Sequence, residues 1–277
     1  MASELQRSTD LQRFVTVGAA DHYALAATRQ RLLDDGPRPV SPADVRDRDR
    51  AAHMLLYHHD PSVVLDLGLT HLVAELGSAR GDAGILAPAT REYHPTSVHA
   101  DDPADVARIA ATSLPNQHPV LSAAWRTPHP AAFDRVRGNR YLGTLEPLFT
   151  RLGATAMLAT RMHVDGVGLG LLCVDEVDGA RSWTPAAIDR AQGFVDQWLA
   201  PVLLAALVTA ALRQSAEHLT PAEREAVDLL ADGLSYGEIA HRLGKSVRTI
   251  DNQLRAARRK TGSRNAIELV ASTRIES

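Results

Sequence analysis

The stretch "YGEIAHRLGKSVRTIDNQLRAARRK" (236–260) concentrates the side chains of this sequence that could address a polyanion. Seven basic residues (Lys245, Arg248, Arg255, Arg258, Arg259, Lys260 and Arg264) stand between 245 and 264 against one acid, Asp251. That segment carries +6, which leaves −9 for the rest of a 277-residue chain of formal net charge −3. Segregation of this kind is an electrostatic footprint for phosphate on an otherwise acidic molecule.

The elements that must present these residues are unusually well punctuated. "LTPAERE" offers Thr220 as N-cap, Pro221 in the first turn and Glu223 as the reciprocal half of a capping box. "LSYGEIAHRLG" repeats the device with Ser235 and Glu238 and stops at Gly244. "KSVRTIDNQLRAARRKTG" is capped by Ser246 and stopped by Gly262, and "SRNAIELVAST" closes the unit. Ile239, Ala240 and Leu243 are spaced to meet Val247, Ile250 and Leu254 across a connection of a few residues. Two helices joined so tightly must cross sharply, with Ala240 allowing close approach. The arrangement is a helix-turn-helix whose second helix is expected to enter the major groove of double-stranded DNA, amino end leading.

With Ile250 and Leu254 inward, Arg248, Asp251, Asn252 and Arg255 lie outward as candidate base contacts. Arginine suits guanine, asparagine suits adenine, and aspartate accepts from cytosine N4. Lys245, Ser246, Thr249, Arg258, Arg259 and Lys260 are the candidate phosphate contacts. On these residues the segment from Leu219 to Val270 resembles the LuxR-type helix-turn-helix domain of bacterial transcription regulators. The matching positions include Thr220, Glu223, Glu238-Ile239-Ala240, Leu243, Ser246, Thr249-Ile250, Leu254, Lys260 and Gly262. The resemblance implies sequence-specific binding as a homodimer on an inverted repeat, base contacts at Asp251, Asn252 and Arg255, and compatibility with an RNA polymerase contact. Many members carry lysine where this chain has Asp251, and histidine where it has Gln253, so the operator is expected to differ.

The preceding two hundred residues must hold or control that reader. At 45 % hydrophobic the chain as a whole can bury a substantial core. One cysteine excludes an intrachain disulfide framework and, with no apolar export segment at the start, points to the cytoplasm. The greasiest run, 198–212, spans 15 residues against the roughly 20 that a membrane span needs, so no membrane partner is expected. Helices are predicted over about 43–57, 62–77 and 143–152, strands at 83–89 and within 128–136, and two short helices within 1–40. The interval 90–127 shows little pattern. A phosphoreceiver reading of Asp66 fails, since residues 1–218 contain no lysine, and no GxxxxGK[ST] motif is present.

The clearest sheet signal is "AMLATRMHVDGVGLGLLCVDE" (156–176), a hairpin turning at Asp165-Gly166. Counting outward pairs Val164 with Val167, His163 with Gly168, Met162 with Leu169, Arg161 with Gly170, Thr160 with Leu171, Ala159 with Leu172, Leu158 with Cys173 and Met157 with Val174. One face, including Leu158, Leu171 and Cys173, is then core. A helix capped by Thr184 with Pro185 follows, to be kinked or divided at Pro201. This course resembles a GAF domain over roughly 45–210. The resemblance implies an antiparallel sheet with helices on one face and a small-molecule cavity or dimer surface on the other.

The expected fold is therefore an α+β GAF-like domain (antiparallel sheet with flanking helices) followed by an all-α, four-helix LuxR-type helix-turn-helix domain. The expected divisions are a helical extension at 1–40, the GAF-like domain at 41–212 with its last helix (186–213) as linker, and the DNA-binding domain at 219–277. Met157, Arg161, His163 and Tyr141 are the candidate ligand-binding residues for an unidentified effector. No catalytic constellation, cofactor motif or metal-ligand spacing is evident; His94, His99, His118 and His129 form no tight pattern. Alternatives are a regulator whose first domain only dimerises or contacts a partner protein, and a redox or enzymatic sensor built on Cys173.

Overall fold

A computed structural model describes residues 41–86, 89–179, 181–263 and 265–273. The helices expected within 1–40 lie outside the described residues. The chain divides between Ala206 and Leu207 into two compact units.

The first unit opens with α1 (Pro42–Leu56) and α2 (Pro61–Leu76). Each starts on a side-chain cap followed by proline: Ser41 in a capping box with Asp44, and Asp60 accepting from Ser62 and Val63. Then come β1 (Arg80–Ile85), β2 (Glu92–Tyr93), β3 (Ser97–Ala100), α3 (Pro103–Ala110), β4 (Leu114–Pro115), α4 (Pro119–Arg126) and β5 (Ala131–Phe133). A 3₁₀ turn (Arg140–Leu145) leads into α5 (Glu146–Arg151), followed by the long hairpin β6 (Ala156–Val164) and β7 (Val167–Glu176). α6 (Pro185–Phe194) follows, capped by Thr184 as expected.

Five strands form one antiparallel sheet in the order β3-β1-β7-β6-β5, with β2 and β4 paired separately. The proline-led β5 sits at the sheet edge, where missing donors are tolerated. β1 starts three residues earlier than the strand expected at 83–89. Gly81 lets α2 approach it: a Cβ there would lie 2.9 Å from both Leu69 and Val73. Helices α1, α2 and α6 share a buried polar tie. Asp47 accepts from His71 at 2.7 Å and from Arg190 at 2.6 Å, and Arg190 also reaches Glu75.

The hairpin departs from the expected register. Asp165 and Gly166 do turn with positive φ (48° and 81°), and Val164–Val167 and His163–Gly168 do pair. Leu169 is then an extra residue, and beyond it Met162 pairs with Gly170, Leu158 with Val174 and Met157 with Asp175. One inserted residue moves every later β7 side chain to the opposite partner set. Cys173 therefore shares a face with Ala159 and Asp82, not with Leu158.

The apolar helix beyond α6 is not broken at Pro201. Instead, residues Val195–Leu199 adopt a π turn, and α7 runs from Ala200 to Glu217. Proline has no N–H and its ring crowds the carbonyl four residues back, so widening the preceding turn accommodates it. The run Pro185–Ala211 is 27 residues, long and apolar enough to cross a bilayer by length and composition. The length argument from 198–212 thus fails, but 72 % of the most apolar stretch is buried inside the protein.

The second unit contains α8 (Pro221–Ala231), α9 (Tyr236–Leu243), α10 (Val247–Thr261) and α11 (Ala266–Thr273). Both expected capping boxes form, and Gly244 and Gly262 end α9 and α10 with φ of 62° and 69°. Ala226, Val227, Ile239, Ala240, Ile250, Leu254, Ala257 and Leu269 make the core. Val247 does not join it: one turn ahead of Ile250, it is 51 % exposed.

Candidate nucleic-acid interface and effector cavity

Three residues, Gly244 to Ser246, separate α9 from α10. The Lys245 amide donates to Ala240 O at 2.9 Å, closing α9, and Ser246 Oγ accepts from the Thr249 amide at 3.1 Å, opening α10. The turn is thus fixed at both ends, and the helices are held through Ala240, Ile250 and Leu254. The opposite side of α10 presents Arg248, Asn252, Arg255 and Arg259, all exposed. Free amides at the start of α10 add partial positive charge to that end.

Two candidate contacts are already engaged. Arg255 Nη2 donates to Asp251 Oδ2 at 2.9 Å, one helical turn away. Asp251 thereby lays the guanidinium along the helix. Lys260 Nζ donates to Glu223 Oε2 at 2.6 Å, the carboxylate that also caps α8 through the Thr220 amide. Lys260, expected as a phosphate contact, is exposed and also tethers α10 to α8. The Ser246 and Thr249 hydroxyls bond to each other at 2.8 Å, and Lys245 and Arg258 are half-buried. Burial alone would raise the Glu223 carboxyl, but Lys260 and the Thr220 amide and hydroxyl outweigh it and hold it below the usual range.

The sheet unit carries a different kind of site. On the face away from α2, the even residues of β1 stand beside the odd residues of β7 and β6: Arg80 pairs with Asp175, and Asp82 with Cys173. Gly84 makes the layout work, because a Cβ there would lie 2.6 Å from the Tyr93 ring. Without one, the ring lies over β1 and its hydroxyl donates to the Asp82 carboxylate. Arg80, 1 % exposed, donates from Nε to Asp175 at 2.8 Å and from Nη1 to Asp105 at 3.0 Å. Its Nη2 has no partner among the described residues.

Between this polar row and the short elements above it lies a cavity of about 60 Å³, whose wall includes Asp82, Leu121, Phe133, Leu142, Met157 and Cys173. A smaller adjoining space of about 30 Å³ reaches Arg80 and Asp175. Burial and the Asp175 charge push Asp82 up to about 7 despite the Tyr93 hydroxyl and Arg80. Burial raises Asp175 to about 6 against the pull of Arg80. Burial also drives the Cys173 thiol well up, reinforced by both carboxylates, which is the reverse of an activated thiolate.

Of the expected ligand residues, Met157 lines this cavity. Tyr141 is 68 % exposed under Arg140, away from it. Arg161 donates to the Trp125 carbonyl at 3.0 Å, at the end of α4, and His163 faces Asp196 at 3.6 Å. These three are held by neighbours outside the cavity wall. Sequence reasoning missed Arg80, Asp82 and Asp175. The available signal was Arg80-x-Asp82 at strand spacing beside an acid ending an otherwise apolar strand. Asp82, Cys173 and Asp175 bring one ligand atom each within 4.8 Å of one another, a geometry that could hold a metal ion. Such an ion would have to displace Arg80 from Asp175 and ionise a thiol that burial keeps protonated. His118 caps α4 and His99 meets Thr70, so neither belongs to that group.

A Sigma-70 region 4 family model matches residues 209–261, which include α8, α9 and the whole of α10. No curated protein matches the chain. Among solved structures, the GAF-B domain of DevS from Mycobacterium smegmatis is 21 % identical with a TM-score of 0.42, covering 56 % of this chain and 98 % of that one. The GAF domain of an Acinetobacter phosphoenolpyruvate-protein phosphotransferase gives 11 %, 0.41, 56 % and 90 %. A GAF domain/HD domain protein from Geobacter sulfurreducens gives 14 %, 0.44, 54 % and 93 %. The chain is thus similar to Sigma-70 region 4 in its helix-turn-helix and, at low identity, to GAF domains.

Proposed function

We propose that this protein is a cytoplasmic, homodimeric, sequence-specific transcription regulator with a LuxR-type reader and a GAF-like effector domain that binds rather than catalyses. The observation that carries the reading is α10: a buried stripe of Ile250, Leu254 and Ala257 on one side, and exposed Arg248, Asn252 and Arg255 on the other. A basic helix locked by a three-residue turn is the geometry that enters a major groove. The GAF-like assignment draws support from the antiparallel sheet, helices on one face and a cavity on the other. An effector acts by favouring one arrangement of the dimer over another, and RNA polymerase is the natural further partner of such a regulator.

Selection of bound duplexes from a random pool tests the reader. The full chain should enrich one motif; Arg255→Ala should lose preference at one position, and Asp251→Lys should change it there. Identical enriched motifs from both variants and the parent would refute the contact assignment.

A further inference from the structure

The polar row beneath the cavity is unevenly compensated. Arg80 neutralises Asp175 and Asp105, and Asp105 has Arg108 besides. Among the described residues the Asp82 carboxylate accepts only from the uncharged Tyr93 hydroxyl, and it lines both spaces. A carboxylate without an ion pair of its own, set in the floor of an apolar chamber, is costly when ionised. Arg80, two residues along the same strand, lowers Asp82 by its charge without bonding to it, and its buried Nη2 has no partner among the described residues.

We propose that the cavity binds a small alkylammonium ligand, its charged nitrogen against Asp82 and its hydrocarbon tail among Leu121, Phe133, Leu142 and Met157. The inference rests on the effector-domain reading and names the chemical class for that site. About 60 Å³ holds roughly four to six non-hydrogen atoms, on the scale that allots one water about 10–15 Å³. A four-carbon amine fits that allowance. The groups facing Asp82 are Arg80 on its own strand, Tyr93 from β2, and Cys173 and Asp175 from β7. Among the described carboxylates at this floor, Asp82 lines both spaces and has no ion pair. A bound ammonium competes with the proton that burial favours there, so affinity should rise as pH increases through about 7.

The test uses full-length protein with labelled methionine methyl groups. Met157 lies in the cavity wall, while Met54 on α1 serves as the control. n-Butylammonium should shift the Met157 signal and bind at least about tenfold tighter than 1-butanol at pH 8. Asp82→Asn should bring the two probes to within about twofold. Should that variant fail to fold, the pH profile of n-butylammonium binding to the parent chain still decides, since a flat profile between 5 and 8 overturns the proposal. If 1-butanol moves Met157 as strongly as the amine, the ligand class is wrong and the cavity remains a ligand site. If no organic probe moves Met157, the cavity reading fails as well. A response to zinc chloride alone would replace the amine with a metal at Asp82, Cys173 and Asp175.

Discussion

The two units handle charge in opposite ways. In the helical unit the cations stand in solvent on one side of α10, over a core of apolar side chains with Glu223 and Thr261 at its margin. In the sheet unit Arg80, Asp82, Asp175 and Tyr93 are folded inward beneath short covering elements. Exposed charge costs the fold little and is free to meet a partner. Enclosed charge is expensive, and each group must be answered by a neighbour or by something that binds. Substituting a charged residue should therefore damage binding in one unit and stability in the other.

The sharpest break of that contrast is Arg80→Ala, which strips the cation from buried Asp175. We expect a loss of about 3–5 kcal/mol, read by urea unfolding of the sheet unit. Next in size is a pH effect. Asp82 has a raised folded value, so its contribution is complete below the unfolded carboxylate value near 3.8 and disappears as pH rises through about 7. Stability should fall over that window by at most about 1.4 kcal/mol per pH unit for one proton, and Asp82→Asn should flatten the slope. In the other unit, Arg255→Ala should weaken binding to the selected duplex by about 1–3 kcal/mol, while stability changes by less than ~0.5 kcal/mol. Glu223→Gln sharpens the contrast from the far side, because Glu223 is a buried carboxylate tied to Lys260. It should cost about 1–2 kcal/mol of stability, with the effect confined to conditions above the depressed Glu223 value. Smallest is Arg259→Ala, expected to reduce the salt slope of DNA binding by about 1 without changing the motif.

How much of this was legible depended on how local the cause is. Caps and stops are short-range chemistry, so Thr220, Ser235, Ser246, Gly244 and Gly262 could be read directly and form as read. Ile250 and Leu254 declared the buried side of α10 by spacing alone. Lys260 could not be placed the same way, because its partner Glu223 lies 37 residues away. The interval 90–127 resisted reading because β2, β4 and their neighbours run two to eight residues, too short for a period to repeat. Arg80 and Asp82 look like a wet strand face in sequence. Only the elements stacked above them make that face interior. Met157 was found among the pocket candidates because its strand was recognised; Arg161 and His163 stand on the same face of β6 but are engaged by the Trp125 carbonyl and Asp196, contacts that strand spacing does not reveal.

That register has a consequence for how the hairpin can change over time. The swelling at Leu169 acts as a phase shifter: cutting out a single amino acid there would send the thiol of Cys173 and the carboxyl of Asp175 through to the side packed under helices. Deletions of one in this arm should therefore be ruinous where replacements of one are mild, and the length of the strand becomes a more guarded property than its composition.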